Sequence, residues 1–202
     1  LVGHVHLGLI GKYRVAVGPD APLQGQVRMR LETDLATIDL MGPITCALIS
    51  SDDRDSIVAR LGPDPLRRDA KPLLAVERMA KSKQPIGQLL LDQQVMAGVG
   101  NVFRAEALFV LGLDPRRPGR ECSNDELRAL WDTLVAMLRQ GVKDNKIITI
   151  DRREFRVPKG PTKRGETTYV YHRDICLRCG TPVQIAELGG RACYYCPTCQ
   201  PG

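Results

Sequence analysis

The sequence predicts an α+β fold in which β-strands come first, helices follow and a cysteine-rich module ends the chain. Apolar and polar residues alternate in residues 1–46, as in half-buried strands, whereas residues 67–150 carry apolar residues at helical spacing. Five of the seven cysteines crowd into residues 176–199. The three predicted domains are residues 1–62, 63–150 and 151–202.

The first domain opens directly in a strand-like run, LVGHVHLGLIG, and its first residue is Leu1 rather than Met. We therefore expect a preceding N-terminal segment. Further along, GQVRMRLE has an apolar residue at every second position and predicts a half-buried strand. Ser51 is positioned to cap a short helix that ends near Arg60, and Gly62 is positioned to stop it. The prolines of LGPDPL (61–66) then break regular structure and mark the domain boundary.

The second domain contains three predicted helices. One covers about residues 85–93, and another covers residues 101–112. Ser123 and Glu126 form the capping-box pattern that opens a third helix, which we expect Gly141 to end. The apolar residues of this third helix recur at helical spacing: Leu127, Leu130, Trp131, Leu134 and Leu138.

Charge and composition indicate a soluble protein with a polyanionic partner. The chain has 202 residues, a formal net charge of +6 and a pI near 9.0. Six of its arginines and lysines stand in residues 151–168, which we predict to be a mobile loop. The sequence contains neither an apolar run of about 18 residues nor a signal peptide. We therefore expect no association with a membrane.

The spacing of the cysteines predicts one structural zinc ion. Cys176 and Cys179 form one Cys-x2-Cys turn, and Cys196 and Cys199 form another after sixteen intervening residues. Four thiolates complete a tetrahedron and leave no position for water or substrate, which indicates a structural site. Cys193 keeps an alternative open, because Cys193 and Cys196 have the same spacing. We prefer Cys196 with Cys199, since the proline between them preshapes the turn.

The segment between the first two predicted helices, VMAGVG (95–100), is short and rich in glycine. Gly98 and Gly100 allow close backbone approach, and Asn101 follows at the N-terminus of the next helix. Free backbone N–H groups and the positive end of the helix dipole make such a terminus a natural phosphate site. Taken alone, this segment slightly favours a capped helical hairpin without a ligand.

Several motifs resemble the Fpg/Nei family of bacterial DNA glycosylases. LLLDQQVMAGVGNVFRAEALF is similar to the helix–two-turns–helix motif of that family, and CLRCGTPV with RACYYCPTCQ is similar to its zinc finger. LGPDPL is similar to its interdomain linker, and HVHLGLIG followed by GQVRMR most resembles the actinobacterial endonuclease VIII branch. The resemblance implies a partial N-terminal β-sandwich, a helix–two-turns–helix domain and a zinc-finger β-hairpin.

This resemblance implies a function in base-excision repair. Family members flip a damaged base out of duplex DNA, cut its glycosidic bond and nick the strand as AP lyases. Their nucleophile is the amine of an N-terminal proline, which a glutamate follows. The sequence has no N-terminal Pro-Glu, so we expect the nucleophile segment to lie outside these 202 residues. The implied partner is damaged double-stranded DNA with oxidised bases, and the implied state is a monomer in the bacterial cytoplasm, at the nucleoid.

Four residues match DNA-binding positions of the family: Leu9, Arg60, Asn101 and Arg191. Leu9 matches a residue that fills the void left by the flipped base. Arg60 matches an arginine implicated in DNA binding in the endonuclease VIII branch, and Asn101 matches an asparagine that contacts backbone phosphate. Arg191 matches the zinc-finger arginine that grips a phosphate and assists the second elimination, which makes it our candidate catalytic residue.

Two other functions remain open. A catalytically inactive module that recognises bent or damaged duplex has the same motifs without the nucleophile. A zinc ribbon that binds proteins rather than DNA also accounts for the cysteines. Salt dependence separates the last function from the DNA-binding ones, because binding through phosphate contacts weakens linearly on a log–log plot as salt rises.

Overall fold

The computed structural model describes residues 1–8, 10–157 and 160–202, which form two compact units, Leu1–Arg60 and Leu61–Gly202. The predicted α+β class is confirmed, with strands in the first unit and helices followed by a β-hairpin in the second. Whether the helical and cysteine-rich parts of the second unit fold as separate domains stays a prediction.

The first unit contains two antiparallel sheets. Strand β1 (Val2–His6) pairs with β5 (Thr45–Ile49). Strand β4 (Ala36–Met41) lies between β2 (Lys12–Val17) and β3 (Val27–Glu32). The β3 segment is the strand predicted from GQVRMRLE.

Helix α1 (Ser51–Ala59) follows β5, and its N-terminal cap is Ser50 rather than the predicted Ser51. The Ser50 hydroxyl accepts a hydrogen bond of 3.0 Å from the backbone N–H of Asp53, whose carboxylate accepts one of 3.1 Å from the Ser50 N–H. This reciprocal pair of hydrogen bonds requires an acidic residue three positions after the cap. Asp53 stands there for Ser50, whereas Arg54 stands there for Ser51. The predicted end near Arg60 is confirmed, since Arg60 caps the C-terminus.

Helices dominate the second unit: α2 (Pro72–Ala80), α3 (Ile86–Leu89), α4 (Asn101–Val110) and α5 (Asn124–Asp144), with a short 3₁₀ helix at Gly119–Glu121. Apolar side chains of α2, α4 and α5 share one core. The apolar face predicted for α5 is confirmed, because all five residues named for it are buried. Among the helices described, none combines the length and apolar character needed to cross a bilayer.

The predicted helix at residues 85–93 is confirmed only for its first turn, α3. Beyond it, the Asp92 side chain accepts a hydrogen bond of 2.9 Å from the Gln94 N–H. The backbone carbonyl of Asp92 accepts further bonds from the N–H groups of Val95 and Met96. A side chain that bonds the backbone in this way stabilises a turn at the expense of a helix.

Helix α5 begins with the predicted capping box of Ser123 and Glu126 but does not end at Gly141. It continues to Asp144 and is closed by Asn145 in the left-handed conformation, at φ 47°. A Cβ atom on Gly141 would lie 3.1 Å from the ring of Phe103. Gly141 therefore permits close packing on α4 inside the helix rather than terminating it.

The hairpin consists of β6 (Gln184–Leu188) and β7 (Arg191–Tyr195). Its two-residue turn is Gly189 and Gly190, which have φ angles of 63° and 69°. Positive φ at both central residues gives the twist that matches a tight antiparallel pair. The turn places Leu188 opposite Arg191, so that Arg191 stands at the tip of the hairpin.

The structure describes residues 151–157 and 160–168 of the predicted basic loop, and these form turns and irregular backbone. Two contacts tie this region to its surroundings. The Lys146 ammonium group donates a hydrogen bond of 2.6 Å to the Gly160 carbonyl, and Arg152 forms an ion pair with Asp144. The mobility of the loop stays a prediction.

Candidate metal centre and nucleic-acid interface

The four cysteines predicted as metal ligands form one cluster: the Sγ atoms of Cys176, Cys179, Cys196 and Cys199 lie within 4.8 Å of one another. The sulfurs of Cys179 and Cys196 are 3.4 Å apart. Four sulfurs at about 2.3 Å from a tetrahedral ion such as zinc would be separated by about 3.8 Å. The cluster is therefore positioned to bind one metal ion.

Cys193 lies outside the four-sulfur cluster. Its side chain is buried and packs against Ala105 of α4 and Leu188 of β6. Burial raises the pKa of its thiol, so the neutral form is favoured. The alternative pair of Cys193 with Cys196 is thus not the one that the described residues form.

The surroundings of the cluster shift the pKa values of its thiols in different directions. Hydrogen bonding to the side chain and backbone of Thr181 lowers the pKa of Cys179 to about 6. Burial raises the pKa of Cys176 and of Cys199. A divalent cation offsets this burial penalty, because metal ligation stabilises the thiolate. The four-sulfur set is therefore suited to hold a cation as thiolates.

One side chain within the first cysteine turn and one just after the second anchor the cluster to the helical region. The guanidinium carbon of Arg178 lies 4.6 Å from the ring centre of Phe109 and 5.1 Å from that of Tyr169. These two rings stack with centres 5.0 Å apart. Beyond the second turn, the buried Gln200 side chain donates a hydrogen bond of 2.8 Å to the Leu113 carbonyl.

The N-terminus of α4 has an open first turn. Gly100 is the N-cap residue and offers no side chain to the backbone N–H groups that follow. These N–H groups and the helix dipole favour an anion. Gln93 holds the turn before the helix. Its side chain accepts a hydrogen bond of 2.8 Å from the Gly98 N–H and donates one of 3.2 Å to the Val99 carbonyl.

The structure brings Asn101 and the hairpin tip together. The Asn101 side-chain amide donates a hydrogen bond of 3.0 Å to the backbone carbonyl of Ala192, next to Arg191. Asn101 is the first residue of α4, and Arg191 is exposed as the first residue of β7. The strand that begins with Arg191 is therefore bonded to the open N-terminus of α4, and both a helix N-terminus and an arginine favour anions.

Beneath this surface lies Arg104, which the sequence analysis missed and which is fully buried. Its guanidinium donates hydrogen bonds to five oxygens, namely the carbonyls of Gly87 (3.0 Å), Leu188 (2.9 Å), Arg191 (3.3 Å) and Ala192 (3.2 Å) and the side chain of Asn101. Burial lowers its pKa, but an arginine remains charged near neutral pH.

Glu106, two residues further along α4, is also buried and was also missed. Its carboxylate accepts hydrogen bonds from Tyr169 N–H (2.6 Å), Val170 N–H (3.0 Å), Tyr171 N–H (2.9 Å) and the Thr149 hydroxyl (2.5 Å). Burial raises the pKa of Glu106, while these bonds act against the rise. A charged residue in an otherwise apolar helix was the available signal, since such a residue must be paired or bonded when buried.

Two further residues, Leu9 and Arg60, were predicted to bind DNA. Leu9 lies outside the described residues. Arg60 belongs to the first unit, where it is exposed at the end of α1. Their roles in DNA binding stay predictions.

Residues 61–152 match the family model described as the formamidopyrimidine-DNA glycosylase H2TH domain. The chain is 44% identical to "Endonuclease 8 1" of Mycobacterium tuberculosis over 98% of this chain and 76% of that protein. It is 36% identical to "DNA-(apurinic or apyrimidinic site) lyase Nei2" of Mycolicibacterium smegmatis, over 98% and 74% of the two chains. A crystal structure of Lactococcus lactis formamidopyrimidine-DNA glycosylase, non-covalently bound to DNA with an AP site, superposes with a TM-score of 0.77 at 25% identity, over 98% and 73% of the chains.

Proposed function

Because this chain belongs to the Fpg/Nei family, we propose that it functions in base-excision repair, as a DNA glycosylase and AP lyase acting on oxidised bases in duplex DNA. The observation that carries the proposal is the adjacency of the open α4 N-terminus and Arg191, joined through the 3.0 Å bond from Asn101 to Ala192. Such a surface suits the phosphodiester backbone, since DNA-binding proteins use helix N-termini and arginines on phosphates.

The proposed roles of the residues follow from their chemistry. The first turn of α4, with Asn101, binds one backbone phosphate through N–H groups. Arg191 binds a neighbouring phosphate and stabilises its charge as the sugar–phosphate bond breaks in the second elimination. Leu9 would fill the gap left by a flipped base, and Arg60 would bind the duplex.

We also propose that the ion held by the four cysteines is zinc. An all-thiolate tetrahedron is the usual structural zinc site, and it leaves no open position for catalysis. Zinc would therefore stabilise the hairpin that carries Arg191, with a contribution to folding on the order of 10 kcal/mol. We expect the protein to act as a monomer in the bacterial cytoplasm, at the nucleoid.

A second candidate function is a module that binds damaged DNA without cutting it. It would bind DNA through the same α4 N-terminus and Arg191 but would form no covalent bond to the sugar. The chemical step of a glycosylase of this kind needs an amine that attacks the sugar and forms a Schiff base.

Borohydride trapping on a duplex with one abasic site tests the proposal. Two proteins are compared: the 202-residue chain, and a chain extended by the codons upstream in its reading frame. We expect both to bind, and the extended chain to give a covalent adduct if the added codons encode Pro-Glu. Binding without trapping by the extended chain would select the inactive module. Binding that does not respond to salt would exclude both DNA-binding functions.

A further inference from the structure

We propose that Arg104 is a positioning residue, whose buried guanidinium holds the hairpin tip against the first turn of α4 and so places Arg191 for contact with a phosphate. This inference rests on the proposed function, because its consequence for affinity requires that the surface binds DNA.

Three of the five oxygens that Arg104 binds belong to the hairpin, and they lie on both of its strands. The Leu188 carbonyl precedes the Gly189–Gly190 turn, and the carbonyls of Arg191 and Ala192 follow it. A single guanidinium therefore fixes both sides of the turn. The same group also donates to the Asn101 side chain, which links the turn to the start of α4.

An arginine is the side chain that this arrangement requires. Its planar group presents five N–H donors in a fixed fork, whereas a lysine has a single ammonium group that reaches fewer separated oxygens. The five oxygens that accept hydrogen bonds from Arg104 are all uncharged: four are backbone carbonyls and one belongs to the Asn101 side-chain amide. Carbonyl oxygens thus bond the two terminal nitrogens of the guanidinium without neutralising its charge.

The uncompensated charge connects Arg104 with the surface above it. Burying a cation without an anion is unfavourable, and the buried Nε atom has no hydrogen-bond partner in the structure as described. A phosphate bound at the neighbouring α4 N-terminus would supply the missing negative charge. Arg104 therefore favours an anion on this surface in addition to holding the hairpin.

Four variants test the inference: Arg104→Met, Arg104→Lys, Arg191→Ala, and the double variant Arg104→Met with Arg191→Ala. Affinity for an abasic duplex is measured by fluorescence anisotropy over a series of salt concentrations. Amide hydrogen exchange of the hairpin is measured without DNA, and zinc content is measured for every variant. Arg178→Ala is the matched control, because it removes a guanidinium that anchors a cysteine turn to Phe109 and Tyr169.

We expect Arg104→Met to weaken binding about 10-fold and to reduce the salt slope by about 0.9, the value for one phosphate contact. Arg191→Ala should reduce the salt slope by a similar amount. The double variant should lose little more affinity for the duplex than either single variant. Exchange at Leu188–Ala192 should increase in Arg104→Met, with one zinc per chain retained. Arg104→Lys should fall between Arg104→Met and the unchanged protein, and it provides the comparison if Arg104→Met does not fold.

The positioning role would be overturned if the two substitutions reduced affinity for the duplex additively in the double variant. It would also be overturned if Arg104→Met left the salt slope unchanged. Unchanged hairpin exchange in both Arg104 variants would also overturn it. If the unchanged protein fails to bind DNA while Arg104→Met still increases hairpin exchange, the proposed function fails and the positioning role stands. A similar loss of slope in Arg178→Ala would indicate general destabilisation instead.

Discussion

The side-chain amide of Asn101 donates a 3.0 Å hydrogen bond to the backbone carbonyl of Ala192, 91 residues further along the chain. This bond joins the first residue of α4 to the strand that begins with Arg191. A side-chain amide nitrogen carries two N–H groups. One holds the hairpin, and we expect the other to bind a phosphate at the helix N-terminus.

Replacing Asn101 with alanine should weaken duplex binding about 10-fold, which corresponds to about 1.4 kcal/mol. The variant should stay folded, because the core of α4 is unchanged. Anisotropy titration and thermal melting measure the two effects. Asn124→Ala is the control, since Asn124 is the exposed first residue of α5. A fall in melting temperature with unchanged affinity would show that Asn101 only holds the hairpin.

Replacing Arg191 with alanine should reduce the slope of log affinity against log salt by about 0.9, because one phosphate contact is lost. In an active protein that carries the nucleophile segment, the second elimination should slow more than the first. Gel separation of the two cleavage products measures this ratio. Arg128→Ala, on the exposed face of α5, should leave both quantities unchanged.

Replacing Cys199 with serine should abolish stoichiometric zinc binding, because the tetrahedron loses one of its four sulfurs. Replacing Cys193 with serine should leave one zinc per chain, since this residue packs against Ala105 and Leu188 outside the cluster. Elemental analysis of the two purified variants measures zinc per chain and so shows whether Cys199 or Cys193 is the ligand. The reverse result would assign Cys193 to the metal in place of Cys199.

Replacing Glu106 with glutamine should destabilise the second unit by about 2–3 kcal/mol, because an amide NH₂ would face donors that now bond a carboxylate oxygen. Denaturant unfolding measures the change. Thr149→Val removes one donor of the four and should cost about 1 kcal/mol. If the two variants lost equal amounts of stability, the three backbone N–H bonds to Glu106 would contribute little to the free energy of unfolding.

Replacing Glu126 with glutamine should destabilise the protein near neutral pH by about 1 kcal/mol, the usual value of a helix cap. Hydrogen bonds from Arg117 and from the Ser123 N–H lower the pKa of Glu126 below its ordinary 4.5. A carboxyl group with a lowered folded-state pKa contributes stability above its ordinary pKa, and this contribution is lost as pH falls through the folded-state pKa.

Unfolding of Glu126→Gln and of the unchanged protein should therefore be compared from pH 7 down to about pH 3. The difference between them should narrow as the pH falls below the ordinary pKa of the carboxyl group. Asp125→Asn, beside Glu126 in the first turn of α5, serves as a control for the general loss of negative charge. A difference that stays constant with pH would exclude the carboxylate as its source.

Features with a local cause could be predicted from the sequence. The capping box of Ser123 and Glu126 spans one helical turn, and each Cys-x2-Cys pair spans one tight turn, so short spacings were sufficient. The choice of Ser50 over Ser51 was also available locally, in the acidic residue at position 53.

Features with a distant cause could not be predicted in this way. Arg104 and Glu106 are charged, and charged residues on a helix are usually exposed. Their partners lie up to 88 positions away at Ala192 and 65 positions away at Tyr171. The role of Gly141 depends likewise on Phe103, whose ring approaches only after α4 and α5 have packed.

Three polar residues of α4 hold other parts of the chain: Asn101 binds β7, Arg104 binds α3 and both hairpin strands, and Glu106 binds Thr149 and the backbone of 169–171. The hairpin tip is therefore located by one ten-residue helix and not by the chain that leads to it. The connection after α4 and the segment between Thr149 and Tyr169 could therefore gain or lose residues. The distance from α4 to the hairpin tip would stay the same. Homologues can thus vary in these connections without altering the spacing of Asn101 and the hairpin tip.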